Sequence, residues 1–326
     1  MSTLLEPEIE DPAGTQAVAS QSANRVRADF AACRVKFHWF GTSKSLSTAQ
    51  KSQAAESFGA EEKAISAAKR LIDTKDERYR VLTSIKSTII RYWKDSSLAF
   101  PEPGIRLIRQ DRIDDFDSKL RGYQQELKTA VGSLDEHFNE LKEAARIRLG
   151  TLFDRSDYPA SLADEFSVEW GFPSVEAPDY LRQLNPEVYR QQAQLVSQRF
   201  EETVALAEQA FIDELDQLVS HLAERLAGSD DGKPKIFRDT SLTNLSSFFE
   251  RFKALNVNSN QQLDQLVEQC QQLVAGVAPQ SLRDSDSLRT SLSSNLASVQ
   301  SSLDQLMTDR PRRNIIRRSK QPRSEA

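Results

Sequence analysis

Five carboxylates, Asp154, Asp157, Asp164, Glu165 and Glu169, crowd sixteen consecutive residues. A pair drawn from such a set could share a proton for acid–base work or hold Mg²⁺. The same residues also suit helix caps and solvated loop charges, and that plainer role is the one adopted. His38, His137 and His221 stand alone in sequence, and Cys33 and Cys270 form no motif. No Cys/His spacing resembles a metal site, and no glycine-rich phosphate loop occurs. Asp230-Asp231-Gly232 opens like a calcium loop, but Lys233 and Pro234 occupy the next places. No serine or cysteine lies in a nucleophile elbow, although a triad can assemble across distant sequence. No catalytic residue, metal or cofactor is therefore assigned. An enzyme built on the acids of 154–169 remains the third reading.

Two other groups of residues could do binding chemistry. The stretch 150–185 contains Pro159, Pro173 and Pro178 among Tyr158, Phe166, Trp170, Phe172 and Tyr180. An aromatic, proline-rich insert between helices serves either as a cap on a bundle or as a protein-docking surface. Residues 63–112 hold twelve Lys or Arg against six acids, ending in Arg106, Arg109 and Arg112. Residues 310–326 hold seven basic residues, including Arg312, Arg313, Arg317 and Arg318, against Glu325 alone. A basic stripe and a basic arm could follow a nucleic-acid backbone, or simply keep the chain soluble. The net charge of −5 thus divides into an acidic body of −11 and a tail of +6.

The elements that must carry these residues are mostly helical. Apolar residues make up 38% and charged residues 28%, with only 11 Gly and 12 Pro, a mix that suits long helices. Residues 1–22, acidic and rich in small residues, read as a mobile leader. Residues 33–39 alternate Cys33, Val35, Phe37 and Trp39 with Arg34, Lys36 and His38, which predicts a half-buried strand. A helix is expected from Ser47 to Lys94, weakest at Gly59, with Ile65, Ala68, Ile72, Lys75, Tyr79, Leu82, Lys86, Ile89 and Trp93 along its seam. Pro101 and Pro103 mark a turn, with a possible short strand at 105–108.

The return helix, 111–149, sets Ile113, Phe116, Leu120, Tyr123, Leu127, Ala130 and Leu134 in steps of three and four, then shifts to Phe138, Leu141 and Ala145. Arms of about 40 residues would be about 60 Å long. Phe166, Val168 and Trp170 suggest another strand. Asn185-Pro186-Glu187 starts a helix running to Gly228, with Leu184 expected to staple onto Tyr189. Its row of Phe200, Val204, Ala207, Phe211, Leu215, Leu218 and Leu222 fits an eleven-residue repeat, hence a nearly straight seam. Shorter Ser/Gln/Leu-rich helices follow at about 240–255, 260–276 and 285–308. The fold class expected is mainly α: an elongated antiparallel hairpin or coiled-coil bundle with a small β element and an aromatic insert. Its organisation is leader 1–22, bundle 23–230 with insert 150–185, helical region 235–308 and disordered basic tail 309–326.

Laid in order, these features resemble a family of uncharacterised bacterial and phage proteins classed as a domain of unknown function. The likeness rests on the alternating segment ending at Trp39 and Gly41, Leu71-Ile72-Asp73, Tyr92-Trp93 with the proline turn, and Tyr158-Pro159 to Pro178. It covers about residues 25–230. It implies a helical protein, in some cases encoded beside MoxR-type AAA+ ATPases and von Willebrand A proteins, and carries over no catalytic residue. The expected function is a non-enzymatic scaffold or adaptor with a protein partner, such as an AAA+ ATPase, and with self-association open. A nucleic-acid accessory protein is the alternative. With no signal peptide or span of about 18 apolar residues, a cytoplasmic protein without membrane contact is expected.

Overall fold

In the computed structural model, residues 12–227 and 239–308 are described. The chain is mostly helical, with a four-stranded antiparallel sheet and a two-stranded one. Packing divides it into two compact units, 1–203 and 204–326. The division falls inside a long helix that spans Pro186–Ala227.

The first unit opens with helix α1 (Pro12–Asp29) and passes directly into strand β1 (Phe30–Trp39). Part of the expected leader is thus helical; residues 1–11 lie outside the described residues. Strand β2 (Ser43–Ser45) precedes α2 (Thr48–Phe58), and β3 (Ala68–Arg70) returns to pair with β2. The single helix expected over 47–94 does not form. Ser47 builds a capping box with Gln50, and Gly59 ends α2 in the left-handed region at φ 63°. A second start follows where Asp76 accepts from the backbone of Arg78 and Tyr79 and opens α3 (Glu77–Asp95). Ile65, Ala68, Ile72 and Lys75 therefore leave the helical seam, although Ile72 is still buried.

Strands β4 (Leu98–Ala99) and β5 (Arg106–Arg109) fill the proline turn, and α4 (Ile113–Glu136) and α5 (Phe138–Leu149) make the return. The register shift at Phe138 marks the break between α4 and α5 at His137. Tyr92, late in α3, stacks on Phe116, early in α4, at 5.5 Å, whereas Arg78, at the start of α3, reaches Glu140 beyond the end of α4. The α3–α4 pair therefore runs antiparallel, as expected, but its arms are 19 and 24 residues long, not about 40.

Strand β6 (Phe166–Gly171) completes the sheet in the order β4-β5-β1-β6. β1 is central: its first half pairs with β5 and its second half with β6. The alternation of β1 decides the packing. Cys33, Val35, Phe37 and Trp39 join Phe166, Val168 and Trp170 against the α3 and α4 rows, including Tyr79, Leu82, Ile89, Phe116, Leu120, Leu127 and Leu134. The heptad row thus closes on α3 and on the sheet together. Two-residue periodicity on β1 and the three-four steps of α4 bury one shared core.

Helix α6 (Tyr180–Leu184) leads to α7 (Pro186–Ala227), where Asn185 Oδ1 caps the Val188 amide at 3.1 Å. The expected staple is absent: Leu184 is 77% exposed, and Arg182 instead lies 5.7 Å from the Tyr189 ring. The second unit comprises the later part of α7 with α8 (Thr240–Leu255), α9 (Gln261–Val274), α10 (Pro279–Asp284) and α11 (Asp286–Thr308). Phe211 meets Phe248 and Phe252 edge-on, and Leu292, Leu296, Val299 and Leu303 form the buried row of α11. Residues 228–238, which include Asp230-Asp231-Gly232, and the basic tail lie outside the described residues.

Candidate functional site

Three of the five acids of 154–169 are drawn into separate structural tasks. Asp154 caps Ser156 at 2.9 Å. Glu165 stands 3.9 Å from His38. Asp157 does something sequence reading missed. Its carboxylate faces Lys44 Nζ of β2 at 2.6 Å and Lys69 Nζ of β3 at 2.5 Å, and Lys69 also donates to Leu152 O at 2.8 Å. The Asp157 and Lys69 side chains are only 2% and 4% exposed. Burial pushes the Asp157 carboxyl up, but the two ammonium groups outweigh it and hold it below the ordinary value. This triad locks the β2–β3 hairpin onto the segment after α5. Nearby, Tyr158 donates to Leu71 O at 3.1 Å, and Arg148 to Arg70 O at 3.2 Å.

Burial also pushes the thiols of Cys33 and Cys270 up to about 12, so both are protonated and inert near neutral pH. Among the described residues, no three His, Cys, Asp or Glu gather to hold a metal ion. Nor is any helix there long and apolar enough to cross a membrane.

The five aromatics singled out for partner binding separate into two sets. Tyr158 and Phe166 are core residues, a correction to their expected surface role. Each sits where its ring stacks on others: Tyr158 on Phe153 at 5.3 Å, Phe166 edge-on to Trp39 at 5.0 Å. Trp170 is half-buried and donates Nε1–H to Asp117 Oδ1 at 2.9 Å. Phe172 and Tyr180 are 40% and 64% exposed. They belong with Leu184 to a strap, 172–184, that leaves β6 and is tied at Glu176 to Arg27 of α1.

The basic hairpin end is mostly occupied by its own structure. Arg106 donates to Ser97 Oγ at 2.8 Å, Ser97 O at 2.6 Å and Lys94 O at 3.2 Å. It thereby caps the carbonyl end of α3, where a cation also suits the helix dipole. Arg109 is paired with Asp111 at 2.9 Å and Arg112 with Asp115 at 3.5 Å. Arg312, Arg313, Arg317 and Arg318 lie outside the described residues. Arg106→Ala is expected to destabilise the first unit by about 2 kcal/mol, since it strips hydrogen bonds from partly buried acceptors. Arg106→Lys should recover only part of this, because an ammonium lacks the fork. Urea denaturation followed by circular dichroism measures both.

The open side of the sheet remains. Arg34, Lys36 and His38 of β1 point away from the core beside Gly171, Glu169 and Ser167 of β6, their register partners. With Trp170, Phe172 and Pro173, four of these (Arg34, Lys36, Glu169 and Gly171) line a cleft of about 400 Å³. The outer edge of β6 has no strand partner among the described residues, and Gln124 of α4 donates to Val168 O there at 3.1 Å. That contact occupies an edge carbonyl that would otherwise be open to pairing with another strand. The polar half of the alternation was readable in β1; its partnership with Glu169 and Gly171 needed the strand register.

Fold and site together define a mostly helical chain whose first unit carries a small antiparallel sheet, covered by helices on one face and partly open on the other. Comparison with protein-family models, with curated proteins and with solved structures finds no match to this chain.

Proposed function

We propose that this chain is a non-catalytic adaptor that docks a protein partner on the strap 172–184 and the sheet face beside it. One observation carries the reading: Phe172, Tyr180 and Leu184 hold large apolar surface in water on a segment anchored through Glu176 to Arg27. Large apolar side chains held in water release free energy when a partner covers them, which is how interface anchors work. The buried rows of α3 and α4 supply a rigid base, and the Asp157 triad fixes the neighbouring hairpin. An AAA+ ATPase is the first partner class to test, a choice that rests on the sequence likeness of residues 25–230 alone, with no matching family model behind it.

The test is capture from the native host with the full chain and with a Phe172→Ser, Tyr180→Ser, Leu184→Ser variant. These side chains are exposed, so the variant is expected to fold normally and to lose the specific partner recovered by the parent chain. Unchanged recovery by the triple variant would remove the strap as the docking site.

A further inference from the structure

The cleft beside the strap is lined by Arg34, Lys36, Glu169 and Phe172, which together restrict what a docked partner can present there. Arg34 and Lys36 sit two residues apart on β1, so both project from the same face of the sheet. Neither is closely paired. Arg34 reaches Glu102 only at 3.5 Å, and Glu102 is shared with Arg199, also at 3.5 Å. Among the described residues no carboxylate lies within ion-pair distance of Lys36. Other cations of this unit are held far more tightly: Lys69 at 2.5 Å, Arg121 at 2.7 Å and Arg109 at 2.9 Å. The guanidinium and ammonium facing the cleft therefore keep donors available.

The walls of the cleft narrow the ligand further. Gly171 lies opposite Arg34, and a Cβ there would meet nothing within 4 Å, so the floor is open at that point. Phe172 and Pro173 form an apolar wall next to it. Glu169 lies opposite Lys36, and Glu102 and Glu165 flank the face. Three acids stand around these two cations, the half-buried Arg34 and the exposed Lys36, and repel a polyanion, so a nucleic-acid backbone fits poorly; the donors the two cations keep can take a single carboxylate.

We infer that this cleft receives a polypeptide segment presenting a single carboxylate to Arg34 and Lys36 beside an apolar or aromatic side chain against Phe172. Glu169 then accepts from an N–H of the same segment. The inference rests on the docking reading and specifies its polar half. A bidentate guanidinium–carboxylate contact supplies orientation, and the ring contact supplies apolar burial.

N-acetylphenylalanine, which carries one carboxylate next to one ring, is the probe, with N-acetylphenylalanine amide as its uncharged twin. Amide shifts of the full chain are followed by nuclear magnetic resonance. The acid is expected to shift Arg34, Lys36 and residues 169–172 saturably, about tenfold more tightly than the amide. Arg34→Gln with Lys36→Gln should reduce the acid to the level of the amide and leave the rest of the spectrum in place. Equal binding of acid and amide, absence of a saturable shift, or tighter binding of a thymidine oligonucleotide at the same residues would overturn the inference. Host capture separates the two proposals. A partner lost by the strap variant but fully retained by Arg34→Gln/Lys36→Gln contradicts the carboxylate site and leaves docking standing. A partner retained by both variants contradicts docking itself.

Discussion

Asp157→Ala is expected to destabilise the first unit by about 2–4 kcal/mol, because it leaves the ammonium of Lys69 buried without its carboxylate. The figure lies toward the low side of the buried-pair range, since the half-exposed Lys44 forms the outer side of the triad and lets solvent screen it. The loss should be local first. The β2–β3 hairpin and the α2 segment it carries should exchange amide hydrogens faster, while α3 and α4 stay protected. Replacing both buried partners, Asp157→Leu with Lys69→Met, should recover most of the stability, because no unpaired charge remains. The pH dependence follows from the depressed carboxyl. Its contribution is complete above the ordinary aspartate value near 3.8 and is lost as pH falls through the lower folded value. The stability gap between parent and Asp157→Ala should therefore be constant near neutrality and close below about pH 4. A gap that is unchanged down to pH 2 would show that the triad is not what holds the hairpin.

The second large effect is expected in the α4 row. Leu120 is fully buried between α3 and the sheet, so Leu120→Ala removes apolar burial and leaves a cavity in a packed interior. A loss of about 3–4 kcal/mol is expected, against less than about 0.5 kcal/mol for Glu126→Ala on the exposed side of the same helix. Thermal unfolding of the two variants side by side measures the contrast. Near-equal effects would mean that the α4 row does not face a core.

That row shows what was legible in the sequence. Ile113, Phe116, Leu120, Tyr123, Leu127, Ala130 and Leu134 all reach the core, because three-four spacing fixes a helix face whatever the partner is. One of its two partners was legible: the proline turn brings α3 back against it, as expected, while the sheet on its other side was not foreseen. A heptad row reads the same against a second helix or against a sheet, and only the alternation of β1 hinted at the sheet. The helix expected over 47–94 failed for a related reason. Ile65, Ala68 and Ile72 keep helical spacing by coincidence, while the local signals at Gly59 and Asp76 end one helix and start another.

The candidate site was legible in halves. Phe172 and Tyr180 could not be separated from Tyr158 and Phe166 by residue type, since Tyr158 is buried by distant partners (Phe153, Phe138 and Leu71 O), Phe166 by the face of β6 it occupies, and the other two lie past the end of that strand. The Asp157 triad joins residues 113 and 88 positions apart, a separation that no local pattern records. Arg106, read as a candidate nucleic-acid contact, caps a helix because β5 lies beside the end of α3.

The most direct test of the adaptor reading is hydroxyl-radical footprinting of the chain alone and in the complex recovered from its host. The account predicts protection concentrated at Phe172, Tyr180 and Leu184, extending to Lys36 and Trp170. Protection centred instead on other exposed apolar side chains, Phe58 or Ile147, with the strap as reactive as in the free chain, would contradict it.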